Sequence, residues 1–321
     1  MSMDERGMPM SDMVKQMNYA IGVDIGGTKI IVALVNEKGQ IEKQLQFATK
    51  PERGAESIIF QICENIEQLK LDVPKQAKIR GIGVVSAGIL DDLTIVLATN
   101  LGWHNVPIGE LIKRTCNLPV VLGNDANLSA VAEYVWGTKK EVEDVIYITV
   151  STGIGAGIVS NGQLIKGISN SAGEFGHISM DLNGERCGCG NIGCLELYCS
   201  GTAIAKMANQ TLAPLTEGHQ WSSKDVLEQA SAGHEGATQV VEKAAFYLAN
   251  GIVSMIHLFN PSQIVLGGGV LSENLILFNR LFDTIKDRAL PDLLKRTTIR
   301  RTELGKEIAV LGAAGIFFMD K

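Results

Sequence analysis

The chain has no apolar run long enough to span a membrane, and no export signal at its N-terminus. Aromatic residues are scarce, at 5%, and there is no basic excess: 29 Lys and Arg stand against 35 Asp and Glu, for a net charge of −6. A nucleic-acid face normally shows as clustered Lys and Arg, so such a partner is not expected. No low-complexity tract or solenoid repeat is visible. These absences predict a cytoplasmic globular protein. Its 321 residues are long for one hydrophobic core, and a 45% hydrophobic content is enough for two.

Glycine is abundant, with 35 residues, which favours tight turns and backbone close to a ligand. A Met-rich stretch over 1–18 reads as a disordered leader, with order beginning at Tyr19. Apolar, β-branched runs at 19–24 and 29–35 flank Gly26-Gly27 and predict a hairpin, continued by a strand at 40–48. Ile58, Ile59, Ile62, Ile66 and Leu69 fall at helical spacing and predict a helix over 55–69. A strand at 79–85, a short helix at 108–115 and a strand at 120–122 follow, then a helix at 126–136 closed by Gly137 at its C′ position. Strands at 145–150, 155–160 and 163–166, with Asn161-Gly162 as a hairpin turn, begin a second series. The remainder reads as mainly helical, with a long helix at 239–259, a strand at 263–266 and a closely packed last helix at 309–318. One theme therefore appears twice. The expected architecture is two α/β domains, 19–137 and 138–306, with a cleft between them and the C-terminal helix from about 307 packing back on the first.

Three clusters carry chemistry. In Asp24-Ile25-Gly26-Gly27-Thr28-Lys29 the glycines let backbone N–H groups approach an anion, Thr28 adds a hydroxyl, and Asp24 can hold Mg²⁺ through water. No helix follows, so this is neither a Walker loop nor a dinucleotide fingerprint, and an ordinary hairpin turn is the alternative. Gly123-Asn124-Asp125-Ala126-Asn127 lies between a strand and a helix, where Asp125 is either a helix cap or a carboxylate base. His177 with Cys187, Cys189 and Cys194 makes a Cys₃His set, the pattern of structural zinc. Glu174, Asp181, Glu185 and Glu196 surround it against a single Arg186, which disfavours a nucleic-acid zinc knuckle. Cys63, Cys116 and Cys199 read as core residues, while His104, His219, His234 and His257 carry no motif.

The run Ile21–Lys29 resembles the first phosphate motif of the sugar kinases in the actin, hexokinase and Hsp70 superfamily. With the Asn-Asp and zinc motifs following in order, the chain from Tyr19 onward is similar to the ROK family of bacterial sugar kinases and repressors, its glucokinases especially. The resemblance implies a two-domain, ribonuclease H-like ATPase fold and ATP-dependent phosphorylation of a hexose, glucose to glucose 6-phosphate, with Asp125 as general base. It implies sugar contacts from Gly88, Asn100, Asn124, Asp125, Glu174, His177 and Glu196. His177 would set one ring nitrogen on structural Zn²⁺ and turn the other to the sugar. Mg²⁺-ATP would lie on Asp24, Gly26, Gly27, Thr28 and Lys29, on a second loop at Ser151, Thr152 and Gly153, and on adenosine-site glycines Gly267, Gly268 and Gly269. A homodimer is expected by family analogy. Ala87, where the family usually has Pro, and Ile89, Asp91 and Asp92 depart from its pattern beside the sugar pocket. The sugar therefore stays open among glucose, N-acetylglucosamine, N-acetylmannosamine, mannose, fructose and a β-glucoside. A sugar-responsive ROK repressor is the rival class, for whose helix-turn-helix domain the stretch 1–18 is short and insufficiently basic.

Overall fold

The computed structural model describes residues 17–212, 220–272 and 274–319. The expected leader, apart from its last two residues, and His219 lie outside the described residues. The described residues form two compact units: one runs up to Leu128 and takes in the segment from Glu307 onward, the other is Ser129–Lys306.

In the first unit, β1 (Asn18–Ile25) and β2 (Lys29–Asn36) are apolar on both faces and pair antiparallel, while β3 (Ile41–Ala48) alternates half-buried and exposed side chains at the sheet edge. β4 (Lys78–Ser86) lies parallel to β1, and a short three-stranded sheet follows: β5 (Ile89–Asp91), β6 (Thr94–Ala98) and β7 (Trp103–Val106). β8 (Val120–Gly123) completes the main sheet in the order β3-β2-β1-β4-β8. In the second unit, β9 (Val145–Val150), β10 (Ile154–Ser160), β11 (Gln163–Leu164), β12 (Gln263–Gly267) and β13 (Thr298–Arg301) form a sheet in the order β11-β10-β9-β12-β13. Both sheets thus run third, second, first, fourth, fifth, an antiparallel meander followed by two parallel strands. This is the ribonuclease H-like topology, present twice.

Each sheet buries its own helices. In the first unit α1 (Gly54–Lys70) and α2 (Ile108–Cys116) pack Ile58, Ile62, Ile66 and Ile112 against Ile21, Val23, Ile82 and Val84. The chain then enters α3 (Asp125–Ala132). In the second unit α4 (Glu196–Cys199), α5 (Gly201–Thr211), α6 (Ser223–Ser231) and α7 (Glu235–Phe259) precede β12, and α8 (Gly269–Ser272), α9 (Leu275–Arg288) and α10 (Pro291–Leu294) follow it. α7 is the spine of that core, with Val241, Leu248, Ile252 and Ile256 fully buried near Ile146, Ile148, Ile264 and Leu266. Cys63, Cys116 and Cys199 are buried, as expected of core cysteines. No helix among the described residues is long and apolar enough to cross a membrane.

The last helix, α11 (Ile308–Gly315), packs on β1 and β4 of the first unit at backbone contact. Gly22 and Gly83 are register partners on those strands. A Cβ on Gly22 would lie 2.2 Å from the Val310 carbonyl oxygen, and one on Gly83 only 1.7 Å from that of Ala313.

Some local expectations are corrected. The helix expected to run to Trp136 stops at Ala132 and widens into a π turn, Glu133–Gly137, where the Thr138 N–H reaches back to the Glu133 carbonyl at 2.7 Å. Gly137 is not a left-handed C′ residue. It is needed because a Cβ there would lie 2.1 Å from Oε2 of Glu133, a fully buried carboxylate paired with Arg300 at 2.8 Å and with the Thr302 hydroxyl. The sheet β5–β7 and the charged edge strand β13 (Thr-Ile-Arg-Arg) were not expected, since strands of three to five residues carry little periodic signal.

Gly83→Ala should cost about 3 kcal/mol, because the clashing atom is backbone and cannot rotate away. Urea unfolding checks this, and a loss below about 1 kcal/mol would show that α11 can shift without penalty.

Candidate active site

In the first unit, β1 delivers Asp24 to the sheet end, and the hairpin turn that follows is closed by the Gly26 N–H on the Lys29 carbonyl at 3.0 Å. Asn100, in the turn between β6 and β7, lies over this hairpin: a Cβ on Gly27 would meet its Nδ2 at 3.4 Å. Gly88 takes a left-handed φ of 117° between β4 and β5, and a Cβ there would lie 2.2 Å from the Leu97 carbonyl oxygen. Only glycine lets that turn rest against β6. Ala87, Gly88 and Ile89 are all exposed.

The start of α3 shows which residue caps the helix. The side chain of Asn124 accepts the Asn127 N–H at 2.7 Å, so Asn124 is the helix cap. Asp125 accepts the adjacent Ala126 N–H at 2.9 Å, and its side chain is exposed. Its charge is felt by Asp24. Burial first, then the Asp125 carboxylate, push Asp24 up to about 6, with Lys29 opposing. Two carboxylates held near one another at a Gly/Thr turn make a site ready for a cation and for a proton acceptor.

In the second unit the turn between β9 and β10 is closed by the Ser151 N–H on the Gly153 carbonyl at 2.9 Å. Glu196, the first residue of α4, accepts the Ile154 N–H at 2.9 Å, and a Cβ on Gly153 would collide with that same carboxylate at 2.5 Å. One oxygen of Glu196 is therefore committed to this turn, a link the sequence did not disclose. Gly268, with φ 88°, packs on the end of β9, where a Cβ would meet the Val150 carbonyl oxygen at 2.2 Å. Gly267 packs against Tyr147, while Gly269 opens α8 with no atom near its missing side chain.

Glu174, His177 and the three cysteines of the expected set gather in the same unit. The His177 Nδ1 and Cys187 Sγ are 3.8 Å apart, Cys189 and Cys194 Sγ are 3.6 Å apart, and all four donor atoms lie within 4.8 Å of one another. A tetrahedral zinc with Zn–S of about 2.3 Å has S···S edges of about 3.8 Å, so the donor set fits that ion. By themselves, burial and the neighbouring thiols push Cys194 up to about 12, and a bound dication would favour its thiolate form. With Nδ1 on the cysteine side, Nε2 of His177 faces Glu174, 3.9 Å from its Oε2.

The raised Asp24 has a consequence for stability. The folded protein holds this proton up to about pH 6, while the unfolded chain releases it near 3.8. Stability therefore falls as pH rises through that window, and above it the native state carries the full cost of the buried charge. Asp24→Asn should be more stable than the parent by about 2–3 kcal/mol at pH 7.5 and no more stable at pH 4. Urea unfolding at both pH values measures this, and equal stability at pH 7.5 would refute it.

A profile described as the ROK family matches residues 20–319. The glucokinase of Halalkalibacterium halodurans is 32% identical over 307 residues, covering 92% of this chain and 93% of that one. The xylose repressor of Bacillus spizizenii is 30% identical over 306 residues, 94% of this chain and 77% of the repressor. Among solved structures, the ROK hexokinase from Thermus thermophilus is 30% identical with a TM-score of 0.81, over 92% of this chain and 96% of that one. A ROK family glucokinase from Streptomyces griseus, in complex with glucose and AMPPNP, is 32% identical with a TM-score of 0.73, over 93% and 98%. The match in sequence, topology and motif order runs through both units, and the chain belongs to the ROK family.

Proposed function

We propose that the chain is an ATP-dependent hexose kinase that converts glucose to glucose 6-phosphate, with Asp125 as its general base. The observation that carries this reading is the division of labour at α3: Asn124 takes the cap, so the exposed Asp125 carboxylate stays available next to Asp24 and its Gly/Thr turn. A pure sugar sensor has no use for a proton acceptor beside a phosphate loop, which favours the kinase over the repressor reading that the xylose repressors raise. The glucokinases among the relatives, and the glucose complex of one neighbour, support glucose over other hexoses.

In this mechanism Asp125 accepts the proton of the sugar 6-hydroxyl as that oxygen attacks the γ-phosphorus. The bond from γ-phosphorus to the bridging oxygen breaks, and ADP leaves with its electron pair. Mg²⁺, held by Asp24 through water, would neutralise phosphate charge. Asp24 must be ionised for this, and its raised pKa of about 6 means that activity should fall below that pH. The turns at Gly26–Lys29 and Ser151–Gly153 offer backbone N–H groups and hydroxyls to phosphate oxygens, and Gly267–Gly269 admit the nucleoside to the backbone. Gly88, Asn100, Asn124, Glu174, His177 and Glu196 are assigned to the sugar. The free lone pairs of the two glutamates suit sugar hydroxyls. Zn²⁺ on His177, Cys187, Cys189 and Cys194 would do no chemistry and would instead fix the imidazole so that Nε2 keeps its direction toward Glu174.

A panel of hexoses with Mg²⁺-ATP, following ADP release, tests the reading: glucose should give the highest kcat/KM, and no stimulation by any sugar would defeat it. Asp125→Asn should lower kcat by at least about 100-fold while leaving thermal unfolding unchanged. A folded variant with near-normal turnover would remove Asp125 from its role. Purified protein should carry one zinc per chain, and chelation should weaken glucose binding and lower the melting temperature together. Calorimetry showing unchanged glucose affinity in metal-free protein would sink the zinc assignment.

A further inference from the structure

Both Gly/Thr turns are held from behind by a threonine that no motif includes. Thr49, one residue beyond β3, is 1% exposed. Its hydroxyl donates to the Gly26 carbonyl at 2.6 Å, and its N–H donates to the Thr28 carbonyl at 3.1 Å. The chain then turns away at once, with Lys50 in the left-handed region at φ 48° and Pro51 opening a short helical turn. In the second unit Thr202 does the equivalent: its hydroxyl and N–H both reach the Thr152 carbonyl, at 2.9 and 3.3 Å, while the Gly201 N–H takes the Ser151 carbonyl at 2.7 Å.

A trans peptide points its C=O and the next N–H in opposite directions. Fixing the Gly26 and Thr28 carbonyls on one side therefore aims the N–H groups of Gly27 and Lys29 at the other. Fixing those of Ser151 and Thr152 aims Thr152 N–H and Gly153 N–H in the same manner. A carbonyl left free in either turn could rotate toward the phosphate and present a partial negative charge to an anion.

We propose that Thr49 is a positioning residue for nucleotide phosphate, holding the carbonyls of the first turn back so that its N–H groups stay forward, with Thr202 serving the second turn. This rests on the kinase reading. The role asks for a hydroxyl at Thr49 and not merely for its volume, so Thr49→Val and Thr49→Ser separate it from packing.

The test is titration of the full-length protein with Mg²⁺-AMPPNP by calorimetry, alongside separate KM values for ATP and glucose and a thermal melt. Thr49→Val should weaken AMPPNP binding and raise the KM for ATP by about tenfold while leaving the KM for glucose within about twofold, and Thr49→Ser should stay within about twofold of the parent in all three. AMPPNP binding by Thr49→Val within about twofold of the parent overturns the proposal. So does an equal loss of nucleotide and sugar affinity, or a Ser variant as weak as the Val variant. Should Thr49→Val melt below the assay temperature, Thr202→Val decides by the same readouts, since Thr202 is exposed. A parent protein that binds no Mg²⁺-AMPPNP defeats the kinase reading itself, whereas a parent that binds while both Val variants match it defeats this role alone.

Discussion

The first unit depends on a helix that touches a sheet without side chains in between. α11 rests on β1 and β4 at Gly22 and Gly83, where even a methyl group would penetrate backbone atoms. Ala313 of the same helix packs with Val85 at the end of β4 and Leu128 in the first turns of α3. The strand that carries Asp24, the strand that leads to Gly88 and the helix that begins at Asp125 are thus referenced to one contact. A small lateral shift of α11 would move all three, and protein interiors yield little to such shifts. The C-terminal segment is therefore part of the site's foundation although it contributes no functional group.

On that foundation the site works through opposing electrostatic demands. Asp24 is pushed toward neutrality by burial and by Asp125, yet its proposed task requires charge. Residues bearing such a conflict cost stability in the resting protein, and a bound cation would relieve that cost. The second unit shows the same logic in its thiols, where burial and crowding push Cys194 up to about 12 unless a dication is present. Under the proposed function each cluster would be completed by an ion. The buried Glu133 differs, because it is completed from within: Arg300 and Thr302 satisfy it, and it explains both the π turn and the glycine at 137. A buried carboxylate without such partners would not be tolerated.

Much of this was legible in the residues. The hairpins, the helix faces of α1 and α7 and the duplicated order of elements follow from periodicity and turn chemistry, which are local. The Cys₃His set was legible because metal ligation demands a fixed residue inventory at short spacing. Elsewhere a tertiary contact had overruled a local rule. Gly137 looked like a helix terminator, but a carboxylate four residues earlier needed its space. The stretch of β13 fell in a remainder read as mainly helical, but pairing with β12 made it an edge strand. Asp125 was ambiguous as a cap until the structure gave that task to Asn124.

Contiguous residues were enough to specify the two α/β halves, the Gly/Thr turns and the Cys₃His grouping, because their backbone and spacing needs are short-range. Tertiary structure decided the rest: which glycines are obligatory, which oxygen of Glu196 is already taken by the Ile154 N–H, why Asp24 holds its proton, and that Thr49 stands behind the Gly26 turn. Most of these link residues far apart in the chain, 23 positions from Gly26 to Thr49 and 230 from Gly83 to Ala313. No periodicity reports such distances. Only the closed fold brings those atoms within reach.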